Sequence, residues 1–275
     1  MPEGPEIRRA ADRISKKIVG KEIHSLTLIY PPIVEFQEIL QQSQIESITT
    51  RGKAMLIRFD CDLSMYSHNQ LYGRWTVNRR STEMKWNRSL RVEFLTDNFA
   101  VRLWSATDIE IIPTSKEEDH PFISKLGPDI LDDSCTPSLI FERLKSKKFC
   151  NRNASSLMLD QSFIAGIGNY LRSEILHQSG VHPNAKPRLI SDKKLLHWAE
   201  TTKNLSKLSY DTGGFTVSEK VALAGKQRGE PKRAYRHSAF CRNGLLCHYC
   251  DAEIVRIRVA NRRLDFCPKC QCLPK

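Results

Sequence analysis

The sequence predicts an α+β chain of several domains: an N-terminal helix and β-sandwich, a helical middle, and a C-terminal β-hairpin held by a metal. Three observations carry this. Ile7, Ala10, Ala11, Ile14 and Ile18 share one face of a 3.6-residue period, the pattern of an amphipathic helix. From Lys21 to Ile112 apolar and polar residues alternate instead, as in half-buried strands. The tail carries two Cys-x-x-Cys pairs. A length of 275 residues is enough for two or three such domains.

The first helix is read over residues 3–18, with the prolines at positions 2 and 5 suiting only its start and Gly20 closing it. Leu26/Leu28, Met55/Ile57/Phe59, Leu90/Val92/Phe94 and Phe99/Val101/Leu103 then read as short strands of a sandwich or barrel. Residues 113–128 are charged and proline-bearing, as an interdomain linker would be. Thr136-Pro137 is an N-cap followed by a first-turn proline, opening a helix through Leu144. Further helices are expected at Ser155–Ile164, from Asn169 after the turn Ala165-Gly166-Ile167-Gly168, and at Ser191–Leu208. Beyond Cys241 short β-like runs appear, such as Ile254–Val259. There is no internal repeat and no long low-complexity tract.

Charge narrows the function. Lys and Arg number 43 against 31 Asp and Glu, a net +12. From Lys226 to Lys275 twelve bases face four acids, so eight of those twelve charges sit in the tail. Such a surplus suits a polyanionic partner, either nucleic acid or an anionic membrane surface, although a solvated basic face is the plainer alternative. No apolar run is long enough to cross a bilayer, and the acidic, polar start lacks a signal-peptide core, so a cytoplasmic protein is expected. Nine cysteines in that compartment are reduced thiols or metal ligands.

Four constellations carry chemistry. Cys247-His248-Tyr249-Cys250, sixteen residues, then Cys267-Pro268-Lys269-Cys270 has the spacing of a four-thiolate structural zinc site, with a hairpin between the knuckles. A redox dithiol pair is the alternative, and Cys241, Cys272 or His248 could substitute as ligands. Cys61, Cys135 and Cys150 read as ordinary thiols. The stretch Leu159 to Tyr170 is a glycine-containing turn running into a helix N-terminus. That is a phosphate clamp to which Asn169 adds a donor, or else a tight turn between packed helices. Removal of Met1 would free Pro2 as a secondary amine able to form an iminium with a sugar aldehyde carbon, with Glu3 as acid/base beside it. Ser67 to Trp75 sets amide, aliphatic and aromatic side chains beside a glycine turn, able to fill the hole left by an extruded base if exposed, or simply ending a strand.

These pieces, in this order, resemble the formamidopyrimidine-DNA glycosylase/endonuclease VIII family. The resemblance rests on Met1 to Arg9, Arg51-Gly52-Lys53, Ser67 to Gly73, Leu159-Asp160-Gln161 and Gly168 to Arg172, and it runs to the zinc motif. It implies a catalytic β-sandwich domain over residues 1–125, a helix-two-turn-helix domain over 126–225 and a zinc-finger hairpin over 238–275. It implies a bifunctional glycosylase/AP lyase acting on damaged double-stranded DNA as a monomer, with one structural Zn2+ and no organic cofactor. By the same resemblance Pro2 is the nucleophile, Glu3 the proton donor, Lys53 the assisting lysine, and Arg262 the hairpin arginine on phosphate. Gln70, Leu71 and Tyr72 form the void-filling wedge, and Asn169 contacts phosphate. Lys125 stands where the family has an arginine among its DNA contacts, keeping charge but losing the bidentate fork, and Arg263 beside Arg262 leaves open which one reaches the phosphate. Gly4 and the Gln70-Leu71-Tyr72 triplet favour the branch that removes oxidised pyrimidines. An enzyme for 8-oxoguanine and formamidopyrimidine, or a non-enzymatic DNA-binding module, are the rivals.

Overall fold

A computed structural model describes residues 2–84 and 87–273. Met1, whose removal the Pro2 chemistry requires, lies outside them. The chain divides into two compact units. The first holds Pro2 and Glu6–Lys125, and the second holds Glu3–Pro5 and Leu126–Lys275.

In the first unit α1 (Gly4–Ile18) is followed by β1 (Ser25–Leu28), a 3-10 turn over Pro31–Phe36 and α2 (Gln37–Gln41). Then come β2 (Ile45–Arg51), β3 (Ala54–Phe59), β4 (Leu63–His68), β5 (Arg74–Arg79), β6 (Leu90–Leu95), β7 (Phe99–Trp104) and β8 (Asp108–Pro113). They build two four-stranded antiparallel sheets, β1-β6-β7-β5 and β2-β3-β4-β8. The predicted face of α1 packs with both: Ile7, Ala11, Ile14 and Ile18 share one core with Ile57, Phe59 and Met65 of one sheet and Val92, Phe94, Val101 and Leu103 of the other. The sandwich was legible in four strands; β2, β4, β5 and β8 were not picked out. β3 is apolar on both faces because its second face, Ala54 and Leu56, packs with Tyr66 and Ile123.

Ile123 comes from residues 113–128, the segment read as a linker; the boundary between the two units does fall inside it, after Lys125, but the part before that boundary is packed into the first unit. Residues 114–119 and 123–125 are 3-10 turns packed onto the sheet. Glu117 is buried there, paired with Arg58 at 2.5 Å and accepting from Ser64 Oγ at 2.6 Å. A charged stretch therefore looked like solvent-exposed chain because its acid finds a buried partner far away in sequence.

The second unit contains α3 (Pro137–Lys145), α4 (Ala154–Leu157), α5 (Asn169–Gln178), α6 (Asp192–Thr212), α7 (Glu219–Gln227), α8 (Lys232–Tyr235) and the hairpin β9 (Val255–Val259) and β10 (Arg262–Phe266). Thr136 caps α3 as predicted, its Oγ1 accepting from Leu139 N at 3.2 Å. The helix expected over Ser155–Ile164 stops at Leu157. Asp160 accepts from Ser162 N at 2.8 Å, and Gln161 Nε2 donates to Leu159 O and Ile167 O. These side chains offer the backbone a turn in place of another helical turn. α7 and α8 were not foreseen. The core joins Ile140, Leu144, Phe163, Leu171, Ile175 and Trp198 with Leu264 and Phe266 of the hairpin.

Candidate active site

The chain start is held by the second unit. Gly4 N donates to Gly166 O at 2.8 Å. Glu3 is buried, and its carboxylate accepts from Gly168 N at 2.8 Å, Tyr170 N at 2.7 Å and Leu171 N at 3.3 Å. These are the free N–H groups of the first turn of α5, where backbone donors and helix dipole both favour an anion. Gly168 is required for this fit, since a Cβ there would lie 2.4 Å from Glu3 Cδ. The turn predicted as a phosphate clamp thus seats a carboxylate of the chain itself.

Asn169, half-buried at the head of α5, accepts from Arg172 Nη2 through Oδ1 at 2.7 Å, which leaves its Nδ2 to donate elsewhere. The same Nη2 donates to Arg263 O at 2.9 Å, tying the hairpin to α5. Arg172 is fully buried; burial and the nearby Arg262 push its guanidinium down to about 10, against the pull of Glu3 and Asp265. The two hairpin arginines differ. Arg263 lies over the Phe240 ring at 4.5 Å and donates to Cys241 Sγ at 3.3 Å. Arg262, one residue along the strand and so on the opposite face, has no side-chain hydrogen bond or ion pair among the described residues. Cys241, considered as a metal ligand, is occupied with Arg263 instead.

In the first unit Lys53 sits in the two-residue turn between β2 and β3, not in a strand. Gly52 takes φ 61, as the first central position of a type II′ turn asks. Lys53 is buried at this tip. Its charge reaches His68 at the end of β4, whose imidazole is lowered below its ordinary value by burial and by Lys53, against the pull of Asp108. His68 and Asp108, 3.9 Å apart, were not picked out as a pair by sequence reading, since 40 residues separate them.

The turn after β4 displays the wedge. Leu71 and Tyr72 are 69% and 71% exposed, far above the norm for such side chains in a chain with cores of this size. Gln70 is exposed at φ 45 and donates to Asp108 Oδ2 at 3.2 Å. Gly73 N donates to Asn69 O at 2.7 Å, and a Cβ on Gly73 would meet that oxygen at 2.6 Å. Pro2 is half-buried, and Lys125 is exposed at the end of the second 3-10 turn.

The cysteines of the two knuckles come together. Cys250 Sγ is 3.4 Å from Cys267 Sγ and 3.3 Å from Cys270 Sγ, and Cys247 Sγ is 3.8 Å from Cys270 Sγ. Zinc–sulfur bonds of about 2.3 Å at tetrahedral angles need sulfur–sulfur edges of about 3.8 Å, so the set fits such an ion with small adjustments. His177 of α5, invisible to spacing rules at 70 residues from Cys247, places Nε2 3.4 Å from its sulfur. Burial holds His177 down to about 4, so its imidazole is neutral. Hairpin residues Ala260 and Asn261, at φ 49 and 60, make the tight turn expected between the knuckles.

Comparison with known proteins gives one answer. Residues 1–107 match the formamidopyrimidine-DNA glycosylase N-terminal domain and residues 126–220 the formamidopyrimidine-DNA glycosylase H2TH domain. The chain is 40% identical over 271 residues to Endonuclease 8 of Escherichia coli (strain 55989 / EAEC), covering 98% of this chain and 100% of that protein. The figures are the same for Endonuclease 8 of Klebsiella pneumoniae subsp. pneumoniae. Among solved structures it is similar to Lactococcus lactis formamidopyrimidine-DNA glycosylase bound to DNA with an AP site, at TM-score 0.79 and 22% identity over 98% of this chain and 99% of that one. MutM in complex with DNA containing carbocyclic 8-oxo-G gives TM-score 0.80 and 22% identity over 98% and 100%. These two likenesses show the fold.

Proposed function

Because the chain belongs to the formamidopyrimidine-DNA glycosylase/endonuclease 8 family of DNA glycosylases with AP lyase activity, we propose that it excises oxidised pyrimidines from duplex DNA, with Pro2 as nucleophile. It is a base-excision-repair glycosylase/lyase; its lesion and the roles of its residues are the proposal. The observation that carries the residue roles is the Glu3 carboxylate on the N-terminus of α5, which fixes the residue next to Pro2.

A stacked base hides its sugar C1′, so the nucleotide must be flipped, at a few kcal/mol, less for a poorly stacked lesion. The exposed Gln70, Leu71 and Tyr72 fill the void, while Asn169, Lys125 and Arg262 bind phosphate. The Pro2 nitrogen bonds to C1′ as the bond to the base breaks; the Glu3 carboxylate takes up the proton that the nitrogen sheds and delivers it to O4′ as the sugar ring opens. Opening of the sugar ring leaves a cationic iminium, which acidifies the C2′ proton. Lys53 assists its loss, and β- then δ-elimination release both phosphates. Water hydrolyses the iminium and frees Pro2. Cys247, Cys250, Cys267 and Cys270 would hold one structural Zn2+, which fixes the hairpin and takes no part in the chemistry. The reaction requires no organic cofactor, and we assign it to a monomer in the cytoplasm, at the nucleoid. No helix among the described residues is long and apolar enough to cross a membrane.

The resemblance of Gly4 and Gln70-Leu71-Tyr72 to the pyrimidine-removing branch, with 40% identity to Endonuclease 8 proteins, supports pyrimidine lesions. The test is borohydride trapping on duplexes carrying thymine glycol or 8-oxoguanine, with Met1 verified as removed. A covalent adduct strongest on thymine glycol and absent from Pro2→Gly is expected. Adducts chiefly on 8-oxoguanine would reverse the lesion assignment. Normal duplex binding with no adduct would leave a DNA-binding module.

A further inference from the structure

The metal centre offers more donors than a tetrahedral ion needs. Cys247 Sγ, Cys267 Sγ, Cys270 Sγ and His177 Nε2 all lie within 4.8 Å of one another, a complete set without Cys250. Cys250 completes a second set with the same three thiols. Five donors therefore converge on four places. We propose that His177 is a reserve ligand: the site rests as four thiolates, and His177 takes the place of Cys250 when that thiolate is lost. The proposal rests on the metal reading above.

The two donors differ in how they are held. Cys250 is half-exposed at the end of its knuckle, whereas Cys247 and Cys267 are buried. His177 is 3% exposed in the last turns of α5, a helix embedded in the main core. Its ring packs near Tyr249 at 5.6 Å between centroids, and its Nδ1 has no hydrogen-bond partner, so the polar contact it makes is through Nε2 toward Cys247. A buried neutral imidazole with a single sulfur contact is otherwise costly to keep. Imidazole Nε2 is a good zinc ligand at about 2.0–2.1 Å, and three thiolates with one imidazole is an established structural set. In the resting site that nitrogen carries the ring proton and donates to the Cys247 thiolate, offsetting part of the charge of four sulfurs; when it ligates, the proton resides on Nδ1 instead. Either way α5 is bonded to the centre at one end while its other end seats Glu3 and Asn169. Cys272 and His248, weighed as substitutes from sequence, belong to no such set among the described residues: Cys272 Sγ is exposed against Lys269 O, and His248 Nε2 is buried with no partner.

The experiment is metal content of the purified full chain, with the cobalt-exchanged spectrum as a second readout. Wild type, Cys250→Ala and His177→Leu should each carry one zinc per chain, and the double variant none. Leucine approximates the histidine's volume and cannot ligate. In cobalt-loaded Cys250→Ala the thiolate charge-transfer band should fall by about a quarter, with tetrahedral d–d bands kept. Loss of zinc or of fold in Cys250→Ala alone, zinc retained in the double variant, or zinc lost from His177→Leu would each overturn the proposal. A wild-type chain without metal would instead remove the metal reading on which it stands.

Discussion

Two residues show how tightly the site constrains single side chains. Gly168 has a φ of −130, which any residue adopts; what excludes a side chain is Glu3, 2.4 Å from where Cβ would be. Gly168→Ala must therefore push the carboxylate off the α5 N–H groups. We expect destabilisation of about 1–3 kcal/mol from overpacking. Single-turnover excision should fall by about a hundredfold, the scale of a misplaced catalytic group. A melt unchanged from wild type with full excision would mean that Glu3 does not need this seat. Gln70 presents the opposite case. A non-glycine residue at φ 45 costs about 1–2 kcal/mol, and glycine there gives back about 0.5–1 kcal/mol in chain entropy. Gln70→Gly should leave the chain as stable or up to about 1.5 kcal/mol more stable in urea, yet lower excision about tenfold by removing a wedge side chain. Strain of this kind persists where function holds it.

At the scale of elements, α5 organises the second unit, and only part of its role was readable in the sequence. Its start was legible, because Gly168-Asn169 after a tight turn marks a helix N-terminus. Its middle was not. Glu174 is fully buried and accepts from Thr216 Oγ1 at 2.7 Å, Ser238 N at 2.7 Å, Ala239 N at 2.8 Å and Phe240 N at 2.7 Å. No local pattern announces a partner more than 60 residues away. A relay backs this anchor: Thr216 gives its proton to Glu174, so Thr216 Oγ1 accepts from His237 Nδ1 at 2.9 Å, and His237 Nε2 accepts from Arg236 Nε at 2.9 Å. His237 must then be neutral, and burial with the adjacent Arg236 lowers it to about 3. The unfolded chain takes up a proton near pH 6.5 that the folded chain refuses. Stability is thus complete above that pH and lost as pH falls from about 6.5 toward 3, at about 1.4 kcal/mol per unit once well below 6.5. Thermal melts from pH 7.5 to 4.5 should show His237→Gln falling less steeply than wild type. Parallel pH profiles would mean that this imidazole titrates alike in both states.

Across the whole molecule the sequence was most informative where one face or one spacing decides the structure, as in α1 and the two cysteine knuckles. It was least informative where a segment is held by a distant partner, as Glu117 is by Arg58. Net charge belongs to this scale too, and it is easily over-read. A surplus of +12 states that a polyanion is welcome, but the salt dependence of binding counts only the charges that displace counterions from phosphates. Arg262 and Arg263 contribute equally to the surplus and differ in what else they do: Arg263 is stacked on Phe240 and bonded to Cys241, while Arg262 is unengaged among the described residues. Only Arg262 should therefore count. Plotted as log K against log salt on a lesion-bearing duplex, binding by Arg262→Ala should have a slope shallower by about 1 than wild type. Arg263→Ala should keep the wild-type slope and lose instead some melting temperature, through the vacated Phe240 face. The reverse pattern would assign the phosphate to Arg263, and equal slopes in all three proteins would mean that the hairpin positions DNA without neutralising it.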